Sequence, residues 1–169
     1  MKNRQFCIAI TGANGFVARN LRKILHEENI QAICIARRNF SSYKSETKII
    51  SEKFSPNLAS KIKNCDALVH LIGSGRETPE NGYQETNVEL TKRIIEICKL
   101  AKIKKIIYNS GLGVSENSTS SYFISKLKAE QAIKKSNLNY TIFRPSYIIG
   151  KDDLDRKSTR LNSSHMSES

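Results

Sequence analysis

Short apolar runs alternate with longer segments of helical period along most of the chain. Strands buried on both faces of a parallel sheet are continuously hydrophobic, and the apolar runs fit that description. They lie at residues 6–10, 32–36, 48–50, 67–72, 104–110 and 140–145. Because strands that alternate with helices pair in parallel through right-handed crossovers, the pattern predicts an α/β fold with a doubly wound parallel sheet.

Apolar stripes at helical spacing follow the first and the fourth of these runs. We predict that the second helix has Thr78 as its cap and Pro79 at its first position. The stripe residues are Val17, Leu21, Ile24 and Leu25 in the first helix, and Val88, Thr91, Ile95 and Cys98 in the second.

A turn with two glycines, TGANGFVA at residues 11–18, joins the first run to the first helix. A tight strand-to-helix turn needs Gly12, and close approach of the backbone to a pyrophosphate needs Gly15. The free amides and positive dipole of the helix N-terminus favour the same anion. The turn therefore predicts a dinucleotide site; a plain turn without a ligand is the alternative.

Two arginines, Arg37 and Arg38, follow the second run, where a protein that prefers NAD places an acid. Guanidinium groups bind phosphate through paired hydrogen bonds, so this pair favours NADP over NAD as the cofactor. The alternative is that both side chains simply face water.

A tyrosine and a lysine four residues apart, Tyr122 and Lys126, occur in the sequence YFISK. On one helix face, the ammonium could stabilise a tyrosinate and make the tyrosine a proton-transfer group near neutral pH. A second pair at this spacing, Tyr147 and Lys151, has Gly150 between its members, so we do not expect it to share a helix face.

Composition narrows the class of function. The net charge is +12, but the lysines are scattered, which indicates a solvated surface and no nucleic-acid partner. The four cysteines have no CxxC spacing, which favours reduced core thiols over a metal site or a disulfide framework. Apolar runs fall short of the roughly 18 residues of a membrane span, and the N-terminal segment is too short for a signal peptide. We therefore expect a cytoplasmic protein without a transmembrane segment.

Motifs in succession resemble a known family. They are TGANGFVARNL at 11–21, DALVHLIG at 66–73, NVELTK at 87–92, IIYNSGLGV at 106–114, YFISKLKAE at 122–130 and FRPSYIIG at 143–150. Their order resembles the extended and atypical short-chain dehydrogenases, the NAD-dependent epimerase/dehydratase group. The branch with the Rossmann-type accessory subunit of respiratory complex I is the most similar. The resemblance implies a Rossmann-like fold over residues 1–154.

The resemblance also implies a set of site residues. Tyr122 becomes the general acid/base, and Lys126 lowers its pKa and holds the nicotinamide ribose. Gly111 takes the usual position of an orienting hydroxyl, for which Ser110, or alternatively Ser115, would substitute. Residues 49–53 lack the aspartate that often contacts adenine in the family. The implied cofactor-binding residues are Gly12, Asn14, Gly15, Phe16, Val17, Arg37, Arg38, Leu71, Ile72, Gly73, Lys126 and Pro145.

Two other polar residues attract attention. His70 lies inside the fourth run, and we expect a hydrogen-bonded core histidine rather than a catalyst. Asn87 opens the helix that follows, where a hydrogen bond near the active site and a helix cap are both consistent with the sequence.

Two functions follow from the resemblance. The first is an NAD(P)-dependent oxidoreductase, epimerase or dehydratase that exchanges hydride at a carbinol or carbonyl carbon of an unidentified substrate, with a nucleotide sugar as one option. The second is a non-catalytic dinucleotide-binding subunit that serves assembly or redox sensing in a larger complex. Either function is compatible with a homodimer.

The last residues break the pattern. One permitted codon choice for residues 155–165 reads as a common sequencing-library adapter, and 166–169 fit its continuation. We therefore expect residues 155–169 to be a translated adapter rather than native protein, and the gene to continue past Leu154, which would make this chain the front half of a longer one. A genuine Ser-rich tail is the alternative.

Overall fold

The computed structural model describes residues 5–77 and 82–150. A π-helical segment, Gln84–Glu89, leads directly into α3. The predicted start of this helix at Thr78 and Pro79 lies outside the described residues. The elements are β1 Cys7–Thr11, α1 Phe16–Glu27, β2 Gln31–Ala36, β3 Glu46–Ile50, α2 Leu58–Ile62, β4 Ala67–His70, α3 Leu90–Leu100, β5 Lys105–Asn109, α4 Ser121–Lys134 and β6 Asn139–Phe143.

The six strands form one parallel sheet in the order β3-β2-β1-β4-β5-β6. Each predicted strand is confirmed, with shifts of a few residues at the ends. The strand order reverses between β1 and β4, and in open parallel sheets ligands bind beyond the carboxyl ends of the strands at such a point. The chain therefore has the Rossmann-like, doubly wound fold that the sequence predicts.

In the four inner strands β2, β1, β4 and β5, alternate residues enter one of two hydrophobic cores. Ala9 and Leu68 pack with α2, α3 and α4 on one face of the sheet. Ile10 and Val69 pack with α1 on the other face. Burial of both faces explains why the strands are apolar without alternation.

The apolar stripe predicted for α1 is wrong at one position. Ile24 is 56% exposed, whereas Arg22, a charged residue, is only 3% exposed. Arg22 donates to both carboxylate oxygens of Glu46 at 2.8 Å, and its Nη1 and Nη2 donate to the carbonyls of Ala13 and Ser41. These four hydrogen bonds let the guanidinium replace an apolar side chain in the core, and they tie the glycine turn to β3.

The stripe predicted for the helix after β4 is confirmed, since Val88, Thr91, Ile95 and Cys98 are all buried. Among residues 5–77 and 82–150, none of the helices combines the length and the apolar composition that spanning a bilayer requires. The cytoplasmic location stays a prediction.

The Arg22–Glu46 pair yields a stability prediction. Burial alone would raise the pKa of Glu46, but hydrogen bonds from Arg22 and from the Tyr43 amide outweigh it and hold the pKa below its ordinary value. Glu46→Gln leaves the buried guanidinium without its counter-charge, so we expect urea denaturation to give a loss of about 3 kcal/mol. The loss should shrink as the pH falls below 4.5, because the unfolded wild-type chain then binds a proton at Glu46 while the folded protein keeps the carboxylate ionised down to its lower pKa.

The matched control is Glu96→Gln, which removes a carboxylate from an exposed pair with Lys99. Exposed pairs contribute little, so the change should be below about 0.5 kcal/mol. Equal effects of the two substitutions would contradict the structural role of the buried pair.

Candidate functional site

The glycine turn brings the end of β1 against the end of β4. Gly12 has φ +75°, a left-handed conformation that L side chains rarely adopt. A Cβ on Gly12 would lie 3.0 Å from Ile72 Cγ1 and 3.2 Å from the backbone of Leu71 and Ile72. Glycine is therefore required twice here, for conformation and for space, and the turn lies at the point where strand order reverses.

Gly15 is the N-cap residue of α1, and its N–H donates to Gly12 O at 2.8 Å. A Cβ on Gly15 would meet Gly12 O at 3.2 Å, and apart from its chain neighbours Asn14 and Phe16 no other described residue has an atom within 4 Å of it. Asn14 and Gly15 are exposed, while Phe16 and Val17 in the first helical turn are half-buried. The approach to the first amides of α1 is thus free for an anion.

Arg37 and Arg38 are both exposed just beyond β2. Arg37 lines a cavity of about 370 Å³ together with Ile72 and Gly73 from the loop after β4. Glu52 lies in the same wall, after β3, near the place where the sequence lacks the expected aspartate. The cavity therefore joins the ends of β2, β3 and β4 beside the glycine turn.

Lys126 places a buried ammonium at the centre of the carboxyl edge, the end of the sheet at which all the parallel strands finish. The residue is 4% exposed, and Nζ donates to Tyr108 Oη at 3.1 Å and to Asn109 O at 2.8 Å. A Cβ on Gly73 would lie 3.3 Å from Nζ, so glycine keeps the approach to the ammonium open. Burial lowers the pKa of Lys126 to about 8, although the charge of Glu130 opposes the shift.

Asn87 connects the loop after β4 to α4. Its Oδ1 accepts from Ser74 N–H at 3.0 Å, and its Nδ2 donates to Ser125 Oγ at 2.9 Å. Asn87 lies inside the π-helical segment rather than at a helix start, so a capping role is wrong and the alternative, a hydrogen bond near the site, is what the structure has. π-Helical turns commonly occur at functional sites because the extra residue re-aims a side chain.

Tyr122 lies in the first turn of α4 and lines a cavity of about 460 Å³ with Gly111 and Pro145. A Cβ on Gly111 would lie 3.8 Å from Tyr122 Oη, so this is the position from which a side-chain hydroxyl would reach the tyrosine. Burial, with Tyr83 nearby, raises the pKa of Tyr122. The expectation that Lys126 lowers this pKa is therefore not met in the structure.

The hydroxyl of Ser110 is engaged by Glu130. It donates to Glu130 Oε1 at 2.6 Å, and Arg144 Nε donates to the same oxygen at 2.9 Å. Glu130 is fully buried, and these hydrogen bonds hold its pKa low against the effect of burial. Ser110 therefore serves this network in the structure, and the orienting role predicted for it stays a prediction.

The Glu130 network is the part of the site that sequence reasoning missed. Glu130 joins α4 to the loop after β5 through Ser110 and to the end of β6 through Arg144. Ser110, Glu130 and Arg144 all lie within the family-like motifs, and Glu130 follows Lys126 by four residues. That spacing placed Glu130 on the lysine's helix face and was the available signal.

His70 is the core histidine expected from the sequence. It is fully buried, with Nδ1 2.7 Å from Thr11 Oγ1 and Nε2 3.2 Å from Thr91 Oγ1. Because Thr91 donates its own proton to Asn87 O, Nε2 carries the histidine proton and Nδ1 accepts from Thr11. Burial, with the Lys126 charge, lowers the pKa of His70 to about 3, so the ring stays neutral.

No cluster of three or more His, Cys, Asp or Glu side chains is placed to hold a metal within residues 5–77 and 82–150.

Comparison with known proteins gives a consistent picture. Residues 12–168 match the profile of a family described as NAD(P)H-binding. NADH dehydrogenase (ubiquinone) 1 alpha subcomplex subunit 9, mitochondrial, from Dictyostelium discoideum is 26% identical over 155 residues, covering 85% of this chain and 43% of that protein. Ceramide reductase from Caulobacter vibrioides is 25% identical over 153 residues, covering 88% of this chain and 48% of that protein.

A solved structure supports the fold. UDP-glucuronic acid 4-epimerase from Bacillus cereus in complex with NAD has a TM-score of 0.69 and 19% identity, covering 82% of this chain and 56% of that chain. The chain spans about half the length of the curated relatives it matches. The boundary predicted at residue 154 stays a prediction.

The buried ammonium can be tested by titration. We expect the side-chain NMR signal of Lys126 to titrate at about pH 8, against an ordinary value of 10.5. Between these values the unfolded chain binds the proton and the folded protein does not, so the unfolding free energy should rise with pH relative to Lys126→Met. Lys128→Met controls for loss of an exposed lysine from the same helix. Titration of Lys126 near 10.5 would contradict the burial of its charge.

Proposed function

Since the chain belongs to the NAD(P)H-binding family, and has the fold of the epimerase/dehydratase group, we propose that it binds NADP and exchanges hydride at a carbinol or carbonyl carbon. The observation that carries this proposal is the buried ammonium of Lys126, which lies beside Gly73 at the carboxyl edge of the sheet. Burying a charge destabilises a fold unless its partners offset the loss of hydration. Buried charges with shifted pKa values therefore occur mainly at functional sites.

The residues at this edge fit a dinucleotide. The bare backbone at Gly12 and Gly15 and the free amides of α1 suit a pyrophosphate. Asn14, Phe16 and Val17 would lie along that group. Leu71, Ile72, Gly73 and Pro145 would line the path towards Lys126, whose ammonium can donate to ribose hydroxyls.

NADP is the preferred form because two guanidinium groups stand beyond β2. Arg37 lines the cavity next to the glycine turn, and Arg38 adds charge at the same exposed turn. A 2′-phosphate offers both arginines paired acceptors, whereas the ribose hydroxyl of NAD offers them little. NAD is the second choice, in line with the bound NAD named for the structural relative.

Proton transfer falls to Tyr122, with Lys126 supplying positive charge. The dinucleotide would accept or supply hydride when bound. Tyr122 Oη faces the cavity next to Gly111, where a substrate oxygen could accept its hydrogen bond. Its pKa is raised in the structure, so Tyr122 is a proton donor at neutral pH, which suits reduction of a carbonyl.

A second function, a non-catalytic dinucleotide-binding subunit, is favoured by one observation. Gly111 leaves the position that faces Tyr122 without a hydroxyl, and the Ser110 hydroxyl is engaged by Glu130. The relative from Dictyostelium is a named subunit of NADH dehydrogenase, while the Caulobacter relative is a named reductase. An accessory role in a larger complex, or a homodimer, would both be compatible with this reading.

Cofactor preference is the first functional prediction. Fluorescence titration should give tighter binding of NADPH than of NADH, by about tenfold or more. Arg37→Ala should weaken NADPH binding by about tenfold with little effect on NADH, and Arg38→Ala should have a smaller effect because Arg37 lines the cavity. Lys61→Ala, an exposed charge on α2, controls for net charge. Tighter binding of NADH would overturn the NADP assignment.

Turnover separates the two functions. NADPH oxidation should be followed with a panel of carbonyl substrates, including nucleotide 4-keto sugars, in the protein encoded by the complete gene. Tyr122→Phe should lower the rate at least about a hundredfold through loss of the proton donor. Gly111→Ser should raise the rate up to about a hundredfold by adding an orienting hydroxyl.

The control is Tyr140→Phe, an exposed tyrosine on β6. NADPH binding without turnover in both wild type and Gly111→Ser would instead support the accessory function. A rate that survives in Tyr122→Phe would contradict the catalytic role of the tyrosine.

A further inference from the structure

Two cysteines lie side by side at the amino-terminal end of the central strands β1 and β4, the end of the sheet opposite the proposed dinucleotide site. The sulfur atoms of Cys7 and Cys65 are 3.4 Å apart, although the residues are 58 positions apart in the chain. Cys7 is half-buried and opens β1, and Cys65 is buried and lies just before Asp66, the residue that precedes β4. The pair therefore combines thiol contact with partial access from solvent.

The backbone holds this pair in place. Cys7 N–H donates to Asp66 Oδ2 at 2.9 Å, and Asp66 N–H donates to Cys7 O at 2.8 Å. From the next residue onward β1 and β4 run side by side in parallel register. Continued by one residue, this register places Cys7 opposite Asp66, so Cys65 is its diagonal neighbour. A strand spacing of about 4.8 Å and a rise of about 3.3 Å then give roughly 6 Å between the two Cα atoms, within the roughly 4.4–6.8 Å that a disulfide spans. The sulfurs need to approach each other by about 1.4 Å to reach the bond length of about 2.05 Å.

The other two cysteines provide an internal contrast. Cys34 and Cys98 are fully buried, and burial raises the pKa of each thiol to about 12. Such thiols carry almost no thiolate at neutral pH and are poor nucleophiles. We therefore expect thiol reactivity only at Cys7 and Cys65, the pair at the amino-terminal end of β1 and β4.

We propose that Cys7 and Cys65 form a reversible disulfide when the protein meets a small-molecule disulfide such as oxidised glutathione. The thiolate of Cys7 attacks one sulfur of the small disulfide, which forms a mixed disulfide and releases one small thiol. Cys65 then loses its proton to solvent and attacks Cys7 Sγ, which releases the second small thiol. In total, two protein thiols give two electrons and two protons, and one small disulfide becomes two thiols.

The disulfide would close a loop that contains β1, α1, β2, β3 and α2, the half of the sheet that carries the glycine turn. Loop closure constrains the unfolded chain and so stabilises the folded one. Cys7 lies at the start of β1 and the turn follows its end, roughly 13 Å away at 3.3 Å per residue. The bond should therefore raise stability without changing affinity for the dinucleotide.

The experiment exposes the protein to dithiothreitol or to oxidised glutathione. It then denatures and alkylates the remaining thiols and maps the peptides by mass spectrometry. Wild type should show Cys7 linked to Cys65, with Cys34 and Cys98 alkylated. Cys98→Ser should behave like wild type in the linkage of Cys7 to Cys65. Cys7→Ser and Cys65→Ser should form no intramolecular disulfide. In Cys65→Ser, the remaining Cys7 should carry glutathione.

Stability supplies an independent readout. Oxidised wild type should have a Tm roughly 5–10 °C above that of the reduced protein, and reduction should reverse the shift. The affinity for NADPH should agree within about twofold between the two forms. The proposal would be overturned if, after treatment with oxidised glutathione, Cys7 and Cys65 of wild type were both still alkylated, or if Cys7 carried glutathione without a bond to Cys65. Linkage that involves Cys34 or Cys98 would also overturn it.

Discussion

The ammonium of Lys126 is the charge on which the arrangement of the carboxyl edge depends. A buried cation costs several kcal/mol unless surrounding groups offset it, and here the offset comes from the Asn109 carbonyl and the Tyr108 hydroxyl at the end of β5. Burial, together with this charge, lowers the pKa of His70 and keeps its ring neutral. The bare backbone at Gly73 leaves room beside the ammonium that a Cβ would fill. α4 and the ends of β4 and β5 are thus fixed around a single positive group.

The two halves of the site are built by different means. On the β1 and β2 side, geometry comes from the main chain, because Gly12 packs against the backbone after β4 and leaves no room for a side chain. On the β5 and β6 side, geometry comes from side chains, because Glu130 is the common acceptor for Ser110 and Arg144. The first half suits an invariant ligand group such as a pyrophosphate, while the second can vary with the substrate.

The sequence predicts the strands and the glycine turn well because both follow from local chemistry. Continuous apolar runs have few alternatives to a buried parallel strand, and the glycine spacing carries its own mechanism. Ile24 was wrongly placed in the buried stripe and Arg22 was left out of it, because hydropathy treats arginine as exposed and its partner Glu46 lies on β3, far from α1 in the sequence. The direction of the Ser110 hydroxyl was equally hidden, since only tertiary packing brings it to Glu130.

The π-helical segment limits how this chain can change in length. A π-turn holds one residue more than an α-turn, so deletion of a single residue between Asn87 and α3 could restore a regular helix with little loss of backbone hydrogen bonds. Each α-helical residue turns through about 100°, so Asn87 would then swing away from Ser74 and Ser125. A descendant of this chain could therefore keep its sheet and lose its site through the smallest deletion a gene can carry in frame.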